Sequence, residues 1–101
     1  DDTVACRTPS KGHHGTTPVP RWKFEAVRGA IIEALRVAGP KGLPSTKLAT
    51  AVRMRLPQED QARIGSVNWP TACVKLEMEV AGEIAPSRGG APQQIVMLRR
   101  R

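Results

Sequence analysis

Aromatic residues are scarce in this chain of 101 residues, which has one Phe, two Trp and no Tyr. Because apolar residues make up 40% of the sequence, the interior must be built mainly from Leu, Ile, Val, Ala and Met. Dividing so short a chain would leave each half below the size at which burial offsets chain entropy. We therefore expect a single domain with one small core.

Long apolar runs are also absent from the sequence. No stretch approaches the roughly 18 apolar residues that a membrane-spanning helix requires. The first residues do not show the basic and then apolar pattern of a signal peptide. Together these absences predict a cytoplasmic protein that has no membrane partner.

Sequence motifs of the common enzyme classes are missing as well. The chain has no nucleophile elbow, P-loop, zinc-helix motif or dinucleotide fingerprint. Its two histidines, His13 and His14, are adjacent in a Gly-rich segment, and no acid is paired with a base at a spacing useful for catalysis. We predict a protein that is not an enzyme, with no cofactor and no small-molecule substrate.

Cysteine is limited to Cys6 and Cys73, which could form at most one intramolecular disulfide. Structural disulfides are rare in reducing compartments, so we expect free thiols. Cys6, His13 and His14 could contribute metal ligands, but zinc requires four ligands, or three and a water, usually in closely spaced pairs. No metal site is predicted, because these three residues have no partner pair elsewhere.

The segment around which the chain is organised runs from residue 65 to residue 98. Its apolar residues recur at the 3.6-residue period of a helix over 68–81, and we expect their face to be buried. These residues are Trp69, Cys73, Leu76 and Val80. Gly82 suits a left-handed C-terminal cap, and the following residues predict a β-hairpin over 83–98.

Two further helices precede this segment. Apolar residues at helical spacing predict the first helix over 22–38, which Gly39 and Pro40 end. A second helix is expected to begin at Ser45 as its N-cap and to end before Pro57. Gly39 to Gly42 form a turn between these helices, and a short strand at Leu43 could pair with the edge of the hairpin.

This order predicts an α+β fold. Three helices form a helix-turn-helix core, and the C-terminal β-hairpin serves as its wing. Residues 1–20, rich in Pro and Gly, are expected to be an extended and irregular N-terminal arm. Residues 21–98 are then the domain, and residues 99–101 form a basic tail.

Three runs of the sequence carry a family resemblance. They are Trp22 to Leu35, Gly42 to Ala49 and Trp69 to Ile84, the last with its Val-Lys-Leu-Glu and Gly-Glu-Ile stretches. These runs resemble winged-helix domains of bacterial regulators and, more closely, a family of small uncharacterised bacterial proteins with that fold. The resemblance implies a winged helix over roughly residues 20–98 and leaves the function open, because such domains bind either DNA or proteins.

The formal charge of +7 favours an anionic partner such as double-stranded DNA. In that hypothesis the protein is a transcriptional regulator, with helix 68–81 in the major groove and the wing 83–98 beside it. The basic tail would follow the phosphate backbone. The residues expected to contact DNA are Lys47, Arg63, Thr71, Lys75, Arg88, Arg99, Arg100 and Arg101, with Val74, Met78 and Glu79 also presented by the helix.

The acidic residues of the third helix weaken that hypothesis. Lys75 is its only cation, whereas Glu77, Glu79 and the nearby Glu83 would be repelled by phosphates. Glu79 could instead form an ordinary surface pair with Lys75, one helical turn earlier.

The alternative hypothesis is a protein-interaction module that does not bind DNA and that could be a homodimer. Trp22 then either holds residues 1–20 against the domain or is an exposed anchor for the partner.

Overall fold

The computed structural model describes residues 2–7, 16–86 and 94–97. Four α-helices and five short strands make up these ranges, which confirms the α+β class. In chain order the elements are β1 (Thr3–Arg7), β2 (Thr16–Pro20), α1 (Arg21–Ala38), β3 (Leu43–Pro44), α2 (Leu48–Arg55), α3 (Gln58–Ile64), α4 (Asn68–Val80), β4 (Ile84–Pro86) and β5 (Gln94–Met97).

Local signals set the limits of α1 largely as the sequence predicts. The helix buries Val27, Ile31 and Leu35 on one face, at intervals of four residues. It ends at Gly39, whose φ of 75° lies in the left-handed region and whose N–H donates to the Leu35 carbonyl. The predicted helix over 22–38 is therefore confirmed.

The start of α2 differs from the prediction. Ser45 lies in a short 3-10 turn, Ser45–Lys47, and makes no capping hydrogen bond to α2. Helix α4 begins at Asn68, the first residue of the helix predicted over 68–81. Between these two helices, Pro57 ends the earlier segment and the next residues form α3.

A three-stranded antiparallel sheet closes the domain. Its spatial order is β3-β5-β4, with Leu43 opposite Ile95 and Ile84 opposite Met97. The predicted short strand and C-terminal hairpin are both confirmed by this pairing. Gly82, with φ of 78°, reverses the chain after α4, and the Glu83 N–H donates to the Met78 carbonyl across the cap.

One apolar core joins α1, α2 and α4 to this sheet. Among its fully buried side chains are Ile31, Leu48, Val74 and Ile95, one from each of these elements. Full burial of an aliphatic side chain of this size contributes about 1.5–3 kcal/mol. On the surface of this core, Arg28 of α1 forms a bidentate ion pair with Glu83, and this hydrogen bonding raises the pKa of Arg28.

The expected irregular N-terminal arm is wrong for the residues that the structure describes. β1 and β2 pair as an antiparallel hairpin in which Cys6 lies opposite Thr17. The hairpin has its own buried cluster, in which Cys6 and Val19 pack with Cys73 of α4. Proline does not prevent this pairing, because a two-stranded sheet consists of edges where a missing N–H is tolerated.

Asp2 fixes the start of the hairpin to the start of α1. The Arg21 N–H donates to the Asp2 carbonyl at 3.0 Å, and Arg21 Nε donates to Asp2 Oδ1 at 2.8 Å. This exposed ion pair also raises the pKa of Arg21. The N-terminal strand is thereby tied to the residue that follows β2.

Gly42 yields a first prediction. Its φ is +74°, and a Cβ placed there would collide with the Ile95 carbonyl oxygen and lie 2.6 Å from Val96 Cγ1. Gly42→Ala should therefore separate β3 from β5 and lower the free energy of unfolding by about 3 kcal/mol. Urea denaturation measures the loss.

Gly65→Ala is the matched control for this variant. Gly65 has the same left-handed backbone, with φ of +75°, but a Cβ there has nothing within 4 Å. We expect a loss of about 1 kcal/mol, from backbone strain alone. Equal losses for the two variants would contradict the steric role assigned to Gly42.

Candidate functional site: the surface of α4

The face of α4 that enters the core is not the predicted one. Val74 and Met78 are buried against the main core, and Cys73 is buried against the hairpin. Of the predicted stripe only Cys73 is buried, whereas Trp69 is 44% exposed, Val80 is 56% exposed and Leu76 is half-buried. The prediction that the stripe of 69, 73, 76 and 80 faces inward is thus wrong at Trp69 and Val80 and only partly met at Leu76.

Apolar residues on two sides of α4 explain this error. One set, with Val74 and Met78, meets α1, while a second set, with Trp69 and Val80, has equally good helical spacing. Periodicity detects both sets but cannot rank them. We call the second set the outward face of α4, and it consists of Trp69, Ala72, Leu76 and Val80.

Three residues expected to reach a DNA groove point inward instead. Val74 and Met78 belong to the core, and Thr71 is only 4% exposed. The Thr71 hydroxyl has no hydrogen-bond partner within the described ranges. Val74 and Met78 therefore serve the core, while the DNA contact expected of Thr71 stays a prediction.

Lys75 remains at the surface beside the outward face. Its Nζ lies 3.3 Å from Glu79 Oε2, one turn along the helix. The predicted surface pair between these residues is therefore confirmed. A half-exposed pair of this kind contributes only about 0.3–0.5 kcal/mol, but it neutralises the single cation of α4.

A shallow groove separates α4 from the start of α2. It encloses about 280 Å³ and is lined on the α4 side by Asn68, Thr71, Ala72, Lys75, Leu76 and Glu79. Ser45, Leu48 and Ala49 form the opposite wall. The outward face is consequently continuous with a mostly apolar depression, and its charged rim carries one cation and one acid.

The two other sequence-predicted residues that the structure describes, Lys47 and Arg63, lie on different elements. Lys47 is exposed at the end of the 3-10 turn that precedes α2. Arg63 of α3 stacks on the Trp22 ring, with its guanidinium carbon 3.9 Å from the ring centroid. Arg88, Arg99, Arg100 and Arg101 lie outside the described residues.

The Trp22 side chain is partly exposed and partly covered by Arg63. It is 37% exposed at the start of α1, and its ring is covered on one side by Arg63. This stack links the first turn of α1 to the last turn of α3. The remaining exposed area leaves the predicted role as a partner anchor untested.

Cys6 and Cys73 are both free thiols in the buried cluster beneath the hairpin. The other two candidate ligands, His13 and His14, lie outside the described residues. Within the described ranges, no group of three or more His, Cys, Asp or Glu side chains could hold a metal ion. The same ranges contain no helix that combines the length and the apolar character needed to cross a membrane.

One family model matches most of the chain. The model for the Family of unknown function (DUF6958) matches residues 3–95, from the first residue of β1 into β5. The chain belongs to this family. No curated protein and no solved structure matches the chain.

The buried cysteines give a prediction about alkaline stability. Burial, with smaller effects from Glu77 and Cys73, raises the pKa of the Cys6 thiol from 9.0 to about 11. The unfolded thiol therefore ionises at lower pH than the folded one, so stability should fall as pH rises from 9 towards 11. Cys6→Ala should reduce this slope in urea denaturation series, and identical slopes would contradict the assignment.

Proposed function

We propose that this protein is a non-enzymatic winged-helix domain that forms a homodimer through the outward face of α4. The order of its elements supports the winged-helix assignment: β3 lies between α1 and α2, and the β4–β5 hairpin follows α4. The sheet order β3-β5-β4 brings that hairpin beside β3, as a wing requires. Here α3 is a short insertion in the turn before the third core helix.

The observation that carries the proposed interaction is the exposed apolar character of α4. Trp69 and Val80 stand at the two ends of the outward face with about half of their surface in water. Between them lie Ala72 and Leu76, and no unpaired cation of this helix adjoins them. Aromatic and aliphatic side chains gathered on one exposed face are characteristic of the centre of a protein interface.

A second copy of the chain is the partner that this face fits. In a twofold dimer the same surface meets itself, so an antiparallel pair of α4 helices would set Trp69 of one copy near Val80 of the other. Ala72 has a small side chain that permits close approach of the helices. Lys75 and Glu79 lie along one edge and pair with each other, so this edge presents no net charge to the second copy.

The size of the face sets the expected strength of this association. From Trp69 to Val80 the helix rises by roughly 16 Å, so the buried area lies at the low end of specific interfaces. We expect a concentration-dependent dimer with a dissociation constant on the order of micromolar.

Sedimentation equilibrium of full-length variants tests this dimer. Trp69→Ala removes apolar area and Val80→Glu places a charge against the apolar Trp69 of the other copy, so each should weaken dimerisation by about ten-fold or more. Val37→Glu is the matched control, because Val37 is an exposed valine at the end of α1, outside the outward face. Circular dichroism verifies that all variants are folded.

The homodimer proposal is wrong if the wild-type chain sediments as a monomer at a concentration about 100-fold above the expected micromolar dissociation constant. Equal dimerisation by the Val80→Glu and Val37→Glu variants would also overturn it, since the contact would then lie elsewhere.

Duplex DNA is the second candidate partner, and the charge of α2 favours it. Lys47 and Arg53 are exposed, and α2 contains no acidic residue. Near them, the first turns of α4 present Asn68 and Ala72 in place of the buried Thr71. In this mode α2 would contact phosphates and the N-terminal half of α4 would face the bases.

Fluorescence anisotropy of a labelled random duplex tests the DNA proposal. Affinity should fall steeply between about 50 and 200 mM salt, and Lys47→Ala or Arg53→Ala should each reduce the salt slope by about one. Arg36→Ala, at an exposed cation of the last turn of α1, is the matched control. Lys75→Ala should alter sequence preference, and removing Arg99, Arg100 and Arg101 should weaken all duplexes together.

Absence of duplex binding at the lowest salt would contradict this second candidate. Equal weakening of duplex binding by Lys47→Ala, Arg53→Ala and Arg36→Ala would also contradict this candidate. Such a result would show that the wild-type protein binds DNA through its net charge and not through α2.

A further inference from the structure

A second exposed apolar surface lies on α2, away from the outward face of α4. It is a groove of about 360 Å³ between α2 and the edge strand β3, and no residue of α4 contributes to it. Its lining residues are Leu43, Lys47, Thr50, Ala51, Met54 and Arg55. The proposed dimer does not use these residues, and only Lys47 is shared with the second candidate function, the binding of duplex DNA.

The floor of the groove is apolar and adaptable. Leu43 and Ala51 are half-buried, whereas Met54 is 74% exposed. Methionine is unbranched and polarizable, so it adjusts to side chains of different shapes and is common at peptide-binding surfaces. A Leu or Phe side chain of a partner would find apolar contacts here that the isolated domain lacks.

The rim of the groove is cationic. Arg55 lies along one wall, where its Nη1 donates to the Ala51 carbonyl at 3.3 Å, and the remaining guanidinium N–H groups stay available as donors. Lys47 is exposed on the same groove. Neither cation forms an ion pair with a carboxylate of the described residues, and none of the six lining residues is acidic.

We propose that this groove binds an acidic amphipathic peptide segment of a partner protein. Apolar side chains of the segment would occupy the floor formed by Leu43, Ala51 and Met54, and its carboxylates would pair with Lys47 and Arg55. A peptide is favoured over an anionic membrane surface, because insertion into a bilayer requires several projecting apolar side chains and Met54 is the one strongly exposed apolar side chain in the lining of the groove.

Fluorescence anisotropy with a fluorescein-labelled peptide of Asp, Leu and Phe tests this proposal on the full-length chain. Saturable binding is expected, and Met54→Glu and Lys47→Glu should each weaken it by about ten-fold or more. Val37→Glu, which adds the same charge at an exposed valine on α1, should leave binding unchanged. A peptide with Lys in place of Asp should not bind wild type but should gain affinity for the Lys47→Glu variant.

Three outcomes would overturn the proposal. The first is the absence of saturable binding of the acidic peptide. The second is equal weakening by Met54→Glu and Val37→Glu, which would indicate a general charge effect. The third is a protein that binds phosphatidylglycerol vesicles and not the acidic peptide, with Met54→Glu abolishing the vesicle binding. This result would assign the groove to a membrane surface.

Discussion

The packing of α4 against α1 is the contact on which the rest of the structure depends. Val74 and Met78 enter the same core as Val27 and Ile31, so this contact fixes the rotation of α4 about its own axis. Because the rotation of α4 is fixed, the direction in which each of its other sides faces is fixed as well. Cys73 turns towards the N-terminal hairpin, and Glu83, just beyond the helix, reaches Arg28 of α1. The β4–β5 hairpin then starts from a helix end that is held in place.

The same rotation leaves apolar residues in water, and this outcome guides the functional proposal. An outward face with Trp69 and Val80 but no free cation differs from the surface that a phosphate-lined groove attracts. The net charge of the chain does not alter this argument. The described residues contain eleven Lys and Arg against eight Asp and Glu, so they account for only +3 of the formal +7. The net charge of the chain therefore gives little information about the partner of α4.

The N-terminal hairpin makes the domain larger than a three-helix core with a wing. It buries Cys6 and Val19 against α4, on a side of that helix that the main core does not reach. Since α4 is covered by α1 on one side and by the hairpin on another, its free surface narrows to the outward face and the groove beside α2. The matched family model also begins with β1. The hairpin thus helps to define the candidate interface without contributing residues to it.

The sequence by itself determined where several elements end. Gly39 and Gly82 end helices because they adopt left-handed backbone angles that other residues rarely reach, and Pro57 ends a segment because it has no N–H to donate. Such effects act over a few residues, so they can be recognised without knowledge of the fold. Only the tertiary structure decided which apolar set of α4 is buried and that residues 3–7 pair with 16–20. These choices depend on contacts between segments far apart in the chain, and the spacing of apolar residues along one helix or strand contains no information about its neighbours.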